Sequence, residues 1–506
     1  MNKNLIVAVL LALIAVQCAG PNAKPQAPTD MNWPASVQPG EAATLPVVLL
    51  DADGDSVACR FDWGNGDTSE WSGYVASGQT MTTTHAWTQL GLYDVRMQAR
   101  DRRGAVSDWS SQREVTVGDV HPVLWSAATQ EEYSIVTSPV VAATLTGERV
   151  FWGENHLLRS VDTRGVTRAV GISVDSTYGG YFVGQPAWSP TNDHLLVGSD
   201  EGELYAFGSG MDIVWHWPGN WNSDMFDDCA WGTASVDGEM VYVMRAEDYE
   251  VLYALRDVGD RGLATASLVP GDPEEGDEVY CPPVVDQEGN VYVTTSMGYL
   301  SKYLAGLEHV VWSELIADYE MYGAVVDGAG GVFTVSGDAL FAVSSAGSLQ
   351  WSHSMNEPTV PVIGNSLLFL GDADGTAWAM GPANGNIVWK TEVAASATFT
   401  SSPLLAANGR LYLYDGYNGS LYCLSTDSGH VLWRTEVRVH SGSPRGRDME
   451  ELEPSMTVTS AGDIIVADEY GIYCIRGYPD GQLANAPWPK WQHDVYNTGC
   501  ARTPIP

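Results

Sequence analysis

The chain is 506 residues long, enough for more than one domain and for a sizeable buried core. Its 63 acidic residues stand against 25 basic ones, a net charge of −38 that argues against nucleic acid and against electrostatic docking on anionic lipid. Such an excess suits solubility outside the cell, adaptation to salt, or a cationic partner.

In chain order, Met1-Asn-Lys-Asn4 precedes a twelve-residue apolar run from Leu5 to Val16. That run is too short to cross a bilayer and reads as a secretory signal over residues 1–17. It ends Ala15-Val-Gln-Cys18. This resembles the bacterial lipobox, and the resemblance implies acylation of Cys18 as the first residue of a mature lipoprotein. Residues 18–30 are rich in Pro and Ala, cannot bury a core, and read as a tether.

Residues 31–118 have the size of an immunoglobulin-like sandwich, with period-two strands in Ala43–Leu50, Val57–Phe61 and Tyr93–Ala99. Asp51-Ala-Asp-Gly-Asp55 spaces carboxylates at i, i+2 and i+4, as a calcium loop does. Asp62 stands where such a loop carries its bidentate Glu, and Asp-x-Asp-Gly is equally a hairpin turn. Asp51, Asp53 and Asp55 are therefore a candidate calcium site with turn chemistry as the alternative. Phe61-Asp-Trp-Gly-Asn-Gly66 and His85-Ala-Trp-Thr-Gln-Leu-Gly-Leu-Tyr-Asp-Val95 resemble the two signature stretches of the PKD family. The resemblance implies a spacer or adhesive module and assigns His85 to the fold.

From residue 119 to 486 one grammar repeats. The strand after each Asn/Asp-Gly turn aligns at Phe151, Leu196, Tyr242, Tyr292, Phe333, Phe369, Tyr412 and Ile465, with successive anchors 36 to 53 residues apart. The following strand aligns at Leu158, Tyr205, Tyr253, Ser301, Phe341, Trp378, Tyr422 and Tyr473. Four short strands per repeat and eight repeats predict an eight-bladed all-β propeller. The eighth repeat lacks its Trp-ended outer strand, and Val123-Leu-Trp-Ser126 supplies one at the other end. Trp125 lies as far before Pro139 as Trp389 lies before Pro403. The N-terminal strand is thus expected to complete the last blade and remove two sheet edges. The repeats, such as Gly-Asn-Ile-Val-Trp389, resemble the PQQ-like propeller repeat family. Residues 487–506 form a C-terminal tail, whose Trp488-Pro-Lys-Trp-Gln-His-Asp-Val-Tyr-Asn-Thr-Gly499 resembles a segment found beside such repeats.

Little in the sequence points to catalysis. The ten His have no zinc spacing, and no Gly-x-Ser-x-Gly elbow precedes a helical pattern. The PQQ-like resemblance admits a quinone-dependent oxidoreductase. By that resemblance such an enzyme needs vicinal cysteines, a calcium and a catalytic Asp, and no two cysteines here are adjacent. Asp372-Ala-Asp-Gly375 reads as a repeat turn. Cys423 and Cys474 occupy matching places in two repeats and read as buried thiols. What breaks the pattern is three inserts, each joining an outer strand to the next inner one. Two of them supply candidate contacts for a partner: Trp217, Trp221 and Phe226 as exposed anchors, and Arg438, Arg445 and Arg447 as a basic patch. The reading is a non-catalytic binding scaffold of the cell envelope or surface, anchored by lipid and using one propeller face for a protein partner. A glycan-binding adhesive protein is the alternative and the quinone enzyme a second one.

Overall fold

The computed structural model describes residues 22–30, 32–34, 36–118, 121–129, 137–144, 147–162, 165–171, 182–199, 203–217, 234–246, 250–270, 277, 279, 281–318, 320–438, 454–495 and 497–502. The chain divides into two units, residues 1–120 and 121–506, and among the described residues every regular element is a strand apart from one short 3-10 turn at Ala305–Leu307.

In the first unit Thr29–Asp30, Ala43–Val48 and Thr80–His85 form one sheet. Ser36–Val37, Arg113–Val117, Gly91–Asp101 and Val57–Asp62 form the other. Gly91–Asp101 buries every second side chain, as a strand with one face on a core must. Trp63 lies parallel to Phe61, with ring centroids 4.7 Å apart, and to His85 at 4.0 Å, so His85 belongs to the core stack. The turn between them needs glycine. Gly64 has φ +75°, and a Cβ there would sit 2.7 Å from the Asp94 nitrogen.

The tether reading is corrected over its described part. Thr29 and Asp30 pair with Val48 and Val47, and the Gln26 N–H donates to the Leu50 carbonyl at 2.9 Å. Asn22 Nδ2 donates to Asp101 Oδ2 at 2.8 Å. An unpaired strand edge on Ala43–Val48 recruits this segment, which low hydrophobicity alone does not prevent.

Among its described residues the second unit holds eight four-stranded antiparallel sheets, numbered here as blades 1 to 8. Blades 1 to 7 use four consecutive strands each. Blade 8 pairs Thr457–Val458, Ile464–Asp468 and Gly471–Ile475 with Val123–Ala128 from the other end of the unit. Cys474 faces Trp125 just as Cys423 faces Trp433 and Ala379 faces Trp389, and a register shift follows in all three. The predicted closure strand is therefore in place. His121 stacks on Trp433 of blade 7 at 4.1 Å and its Nδ1 lies 2.7 Å from the Arg476 carbonyl. The inner strand of blade 8 packs on Val140–Thr144 of blade 1, which brings first and last sheets together.

Blade 1 departs from the aligned column. Phe151 faces Ser160 and Trp152 faces Arg159, so the residue matching Tyr205 is Arg159, one beyond Leu158. A charged residue in an aromatic column obscured the register. Arg159 is tolerated because it is ion-paired to buried Glu154 and lies over the Trp152 ring at 5.3 Å.

Candidate functional site

The acidic triad is brought together. One carboxylate oxygen from each of Asp51, Asp53 and Asp55 lies within 4.8 Å of the others. Asp51 Oδ1 accepts the N–H of Asp53 and of Asp55, both at 3.1 Å, the bonding of a tight Asx turn. Arg103 sits against the same group, its Nε 3.1 Å from Asp55 Oδ2 and its Nη1 3.6 Å from Asp53 Oδ2. Burial raises the Asp51 carboxyl, with the Asp53 side chain adding to it. Asp53 is lowered, first by its bond with Asp51 and then by the Ala23 N–H. The cluster thus already has a turn role and a local counter-charge.

Of the candidate partner contacts, Trp221, Phe226, Arg445, Arg447 and the lipid residue Cys18 lie outside the described residues. Trp217 is half-buried at the end of the Ile213–Trp217 strand, opposite Leu204, with its ring edge-on to Tyr253 of the next blade at 4.8 Å. It packs two blades together as well as bordering the insert.

Arg438 is not a surface residue, and the basic-patch reading is corrected there. Only 9% of it is exposed. Its guanidinium donates to the carbonyls of Gly416 and Tyr417, reaches Asp468 Oδ2 of blade 8 at 3.6 Å and lies over Tyr470 at 4.2 Å. A buried carboxylate and two turn carbonyls draw it inward. Burial raises Asp468, which also accepts the Tyr414 hydroxyl at 2.6 Å. Gly419 makes the room, since a Cβ there would meet the Arg438 Cγ at 2.3 Å.

Sequence reasoning missed the role of the tail. Residues 482–495 and 497–502 meet one blade after another along the inner strands. Trp488 and Ile363 of blade 6 exchange two backbone bonds, and Leu405 of blade 7 donates to the Pro489 carbonyl. Val141 of blade 1, Val236 of blade 3 and Val285 of blade 4 donate to the carbonyls of Val495, Thr498 and Gly499. The Trp491 ring lies 3.0 Å from where a Cβ on Gly323 of blade 5 would stand. Six of eight blades thus meet one segment at the ring's inner edge. Within it Lys490 is fully buried, its Nζ donating to the Trp491 carbonyl at 2.6 Å and to Asn497 Oδ1 at 2.5 Å. Burial carries this amine down to about 7, against the opposing pull of Asp494. The Trp-Pro…Thr-Gly stretch was the available signal, but nothing in its pattern says which strands it meets.

Other polar groups with a catalytic look hold the blades. His194 Nδ1 lies 2.8 Å from Asp257 Oδ2, and Asp257 Oδ1 accepts from Trp215 and Gly259. Burial would raise Asp257, but these bonds hold it lowered. Asp372 accepts the N–H groups of Asp374 and Thr376 and the Trp378 indole, which is turn and blade chemistry. Among the described residues Cys59, Cys281, Cys423 and Cys474 are buried free thiols, and Cys500 is buried as well. Burial pushes Cys59 up to about 12.

Residues 26–113 match the PKD domain family, and residues 282–481 match the family described as outer membrane protein assembly factor BamB. The chain carries a PKD domain followed by a PQQ-like repeat propeller. Among solved structures, BamB from Moraxella catarrhalis is 12% identical, with 71% of this chain and 100% of that one covered and a TM-score of 0.50. Sqt1 of Saccharomyces cerevisiae is 10% identical over 70% of this chain and 98% of its own, with a TM-score of 0.52. The computationally designed Ika8 protein is 11% identical over 69% and 98%, with a TM-score of 0.51. At these identities the likeness is one of fold. No curated protein matches the chain.

Proposed function

We propose that this protein is a non-catalytic interaction scaffold of the cell envelope or surface, which presents a rigid propeller face to a protein partner. The observation that carries the reading is the tail. The inner edge of the ring is bonded to the chain's own segment from Trp488 to Ala501, so ligand-binding capacity is left to the loops around a stiff frame. The partial match to the BamB family supports the same use of the fold. The buried charges named above serve blade contacts, and the vicinal cysteines that a quinone enzyme of this repeat type needs are lacking in the sequence.

The test is capture from an envelope extract with the full chain, compared with a variant whose inserts 218–228 and 439–451 are replaced by short Gly-Ser turns. A partner retained by the natural chain and lost by the variant supports the reading. Saturable micromolar binding of the quinone with calcium, together with no insert-dependent partner, would overturn it.

A further inference from the structure

The sandwich carries a feature that the scaffold reading does not use. Two short stretches share one pattern, Ser69-Glu-Trp-Ser72 and Ser107-Asp-Trp-Ser110. In each, both serines bond the edge of a strand: Ser69 and Ser72 exchange backbone and hydroxyl bonds with Phe61 and Cys59, while Ser107 and Ser110 do the same with Ala99 and Met97. The two motifs thereby flank the strands Val57–Asp62 and Gly91–Asp101 and hold Trp71 and Trp109 over the outward face of that sheet.

Arginines fill the spaces between them. Arg100 lies 4.5 Å from the Trp71 ring, Arg60 lies 4.8 Å from Trp71 and 5.2 Å from Trp109, and Arg96 lies 5.6 Å from Trp109. Arg102 over Tyr74, at 5.4 Å, extends the row. The result is a ladder in which cation and aromatic plane alternate, Arg100–Trp71–Arg60–Trp109–Arg96. Arg96 and Arg100, four residues apart on one strand, are separated by about 13 Å.

Cation–π stacking alone would stabilise the sandwich modestly, but the charge balance asks for more. Arg96 has a carboxylate partner, Asp62, at 2.6 Å. Arg60 is bonded to the neutral Gln98 amide at 2.7 Å and 3.0 Å. Among the described residues no carboxylate lies in ion-pair reach of Arg60, Arg100 or Arg102, in a chain where acids outnumber bases by 63 to 25. A stacked guanidinium gives its face to the ring and keeps its N–H edge for a planar, bidentate acceptor, which a carboxylate matches. The net charge of −38 opposes any long polyanion at a distance, so attraction here is local to the arginine row, within the roughly 8 Å that physiological salt leaves unscreened. A polymer that alternates carboxylates with flat C–H faces fits both kinds of rung.

We propose that this ladder is a docking surface for an acidic, uronate-type polysaccharide, with carboxylates on Arg60, Arg100 and Arg102 and sugar faces against the rims of Trp71, Trp109 and Tyr74. It is independent of the propeller's partner face, so either reading survives the failure of the other. The probe is polygalacturonate, titrated into the full-length protein at 150 mM salt, with neutral pullulan and poly-glutamate alongside. Saturable binding to polygalacturonate only, weakened at least tenfold by Arg100→Glu and by the exposed-end change Arg102→Glu, is the expected result. Thermal melts of both variants matching the natural protein keep the loss attributable to the surface. No binding to polygalacturonate, binding unchanged in both variants, or poly-glutamate binding as tightly would each overturn the proposal.

Discussion

Trp488→Ala tests the structural role of the tail most sharply. The side chain is fully buried in the cluster formed with Ile363, Leu370 and Trp378 of blade 6 and Val325 and Val335 of blade 5. Its backbone exchanges two bonds with Ile363, and its ring meets His493 edge-on at 5.0 Å. Truncating a buried Trp removes its transfer free energy and leaves a cavity, together about 3–5 kcal/mol. That is a large fraction of the total stability of an ordinary domain, about 5–15 kcal/mol. The backbone bonds survive the substitution, so the loss reports side-chain burial at the inner edge of the ring. Urea unfolding followed by far-UV circular dichroism would measure it, with the sandwich transition as internal reference and the slope of the propeller transition unchanged. A loss below about 1 kcal/mol would mean that the tail is not packed into the ring in solution, and the reasoning would fail.

Further predictions follow from buried charge. Lys490 has its proton affinity lowered from 10.5 to about 7 by burial, so the unfolded chain holds that proton over a range where the folded one has released it. The sign is thus a stability that rises with pH from about 7 to 10 and a penalty of up to about 5 kcal/mol below pH 7. Lys490→Met should flatten that slope relative to the natural chain in stability measured against pH, and an unchanged slope would refute the assignment. Arg438→Ala strands buried Asp468 and should cost about 3–5 kcal/mol, whereas Arg434→Ala, which loses the surface pair to Glu436, should cost less than about 1 kcal/mol; equal losses in denaturation would return Arg438 to the surface. Arg103→Ala removes the counter-charge from Asp53 and Asp55 and should tighten calcium binding in calorimetry, relative to a natural site no tighter than about 1 mM. Calcium binding that weakens in this variant would contradict the turn reading.

The architecture was legible because its signals are local. Trp125 carries the outer-strand pattern wherever it lies in the chain, so the blade it completes could be inferred by comparing repeats, and Cys474 is its partner. The Phe61–Gly66 turn likewise announces itself, because Gly64 must take a positive φ. What stayed hidden depends on long-range partners. Trp488, Lys490 and Trp491 look like a polar aromatic tail until the inner strands that accept them are known. Arg438 looks like one of a cluster of exposed arginines until Asp468, thirty residues on and in the next blade, draws it inward. Arg159 broke an aromatic column because its compensation by Glu154 is invisible to a pattern of apolar residues. The ladder on the sandwich escaped for a similar reason: its two Ser-x-Trp-Ser motifs lie far apart in sequence and acquire meaning only when the strands between them align Arg60 with Gln98.

The most direct test of the account is native-state hydrogen exchange at five amides, those of Val141, Val236, Val285, Ile363 and Leu405, which donate to the tail from blades 1, 3, 4, 6 and 7. The account predicts that all five exchange only with global unfolding of the propeller, as amides of the central strands do. Exchange at the rate of exposed loops would leave the inner edge of the ring open, and would contradict the claim that the chain's own tail occupies it.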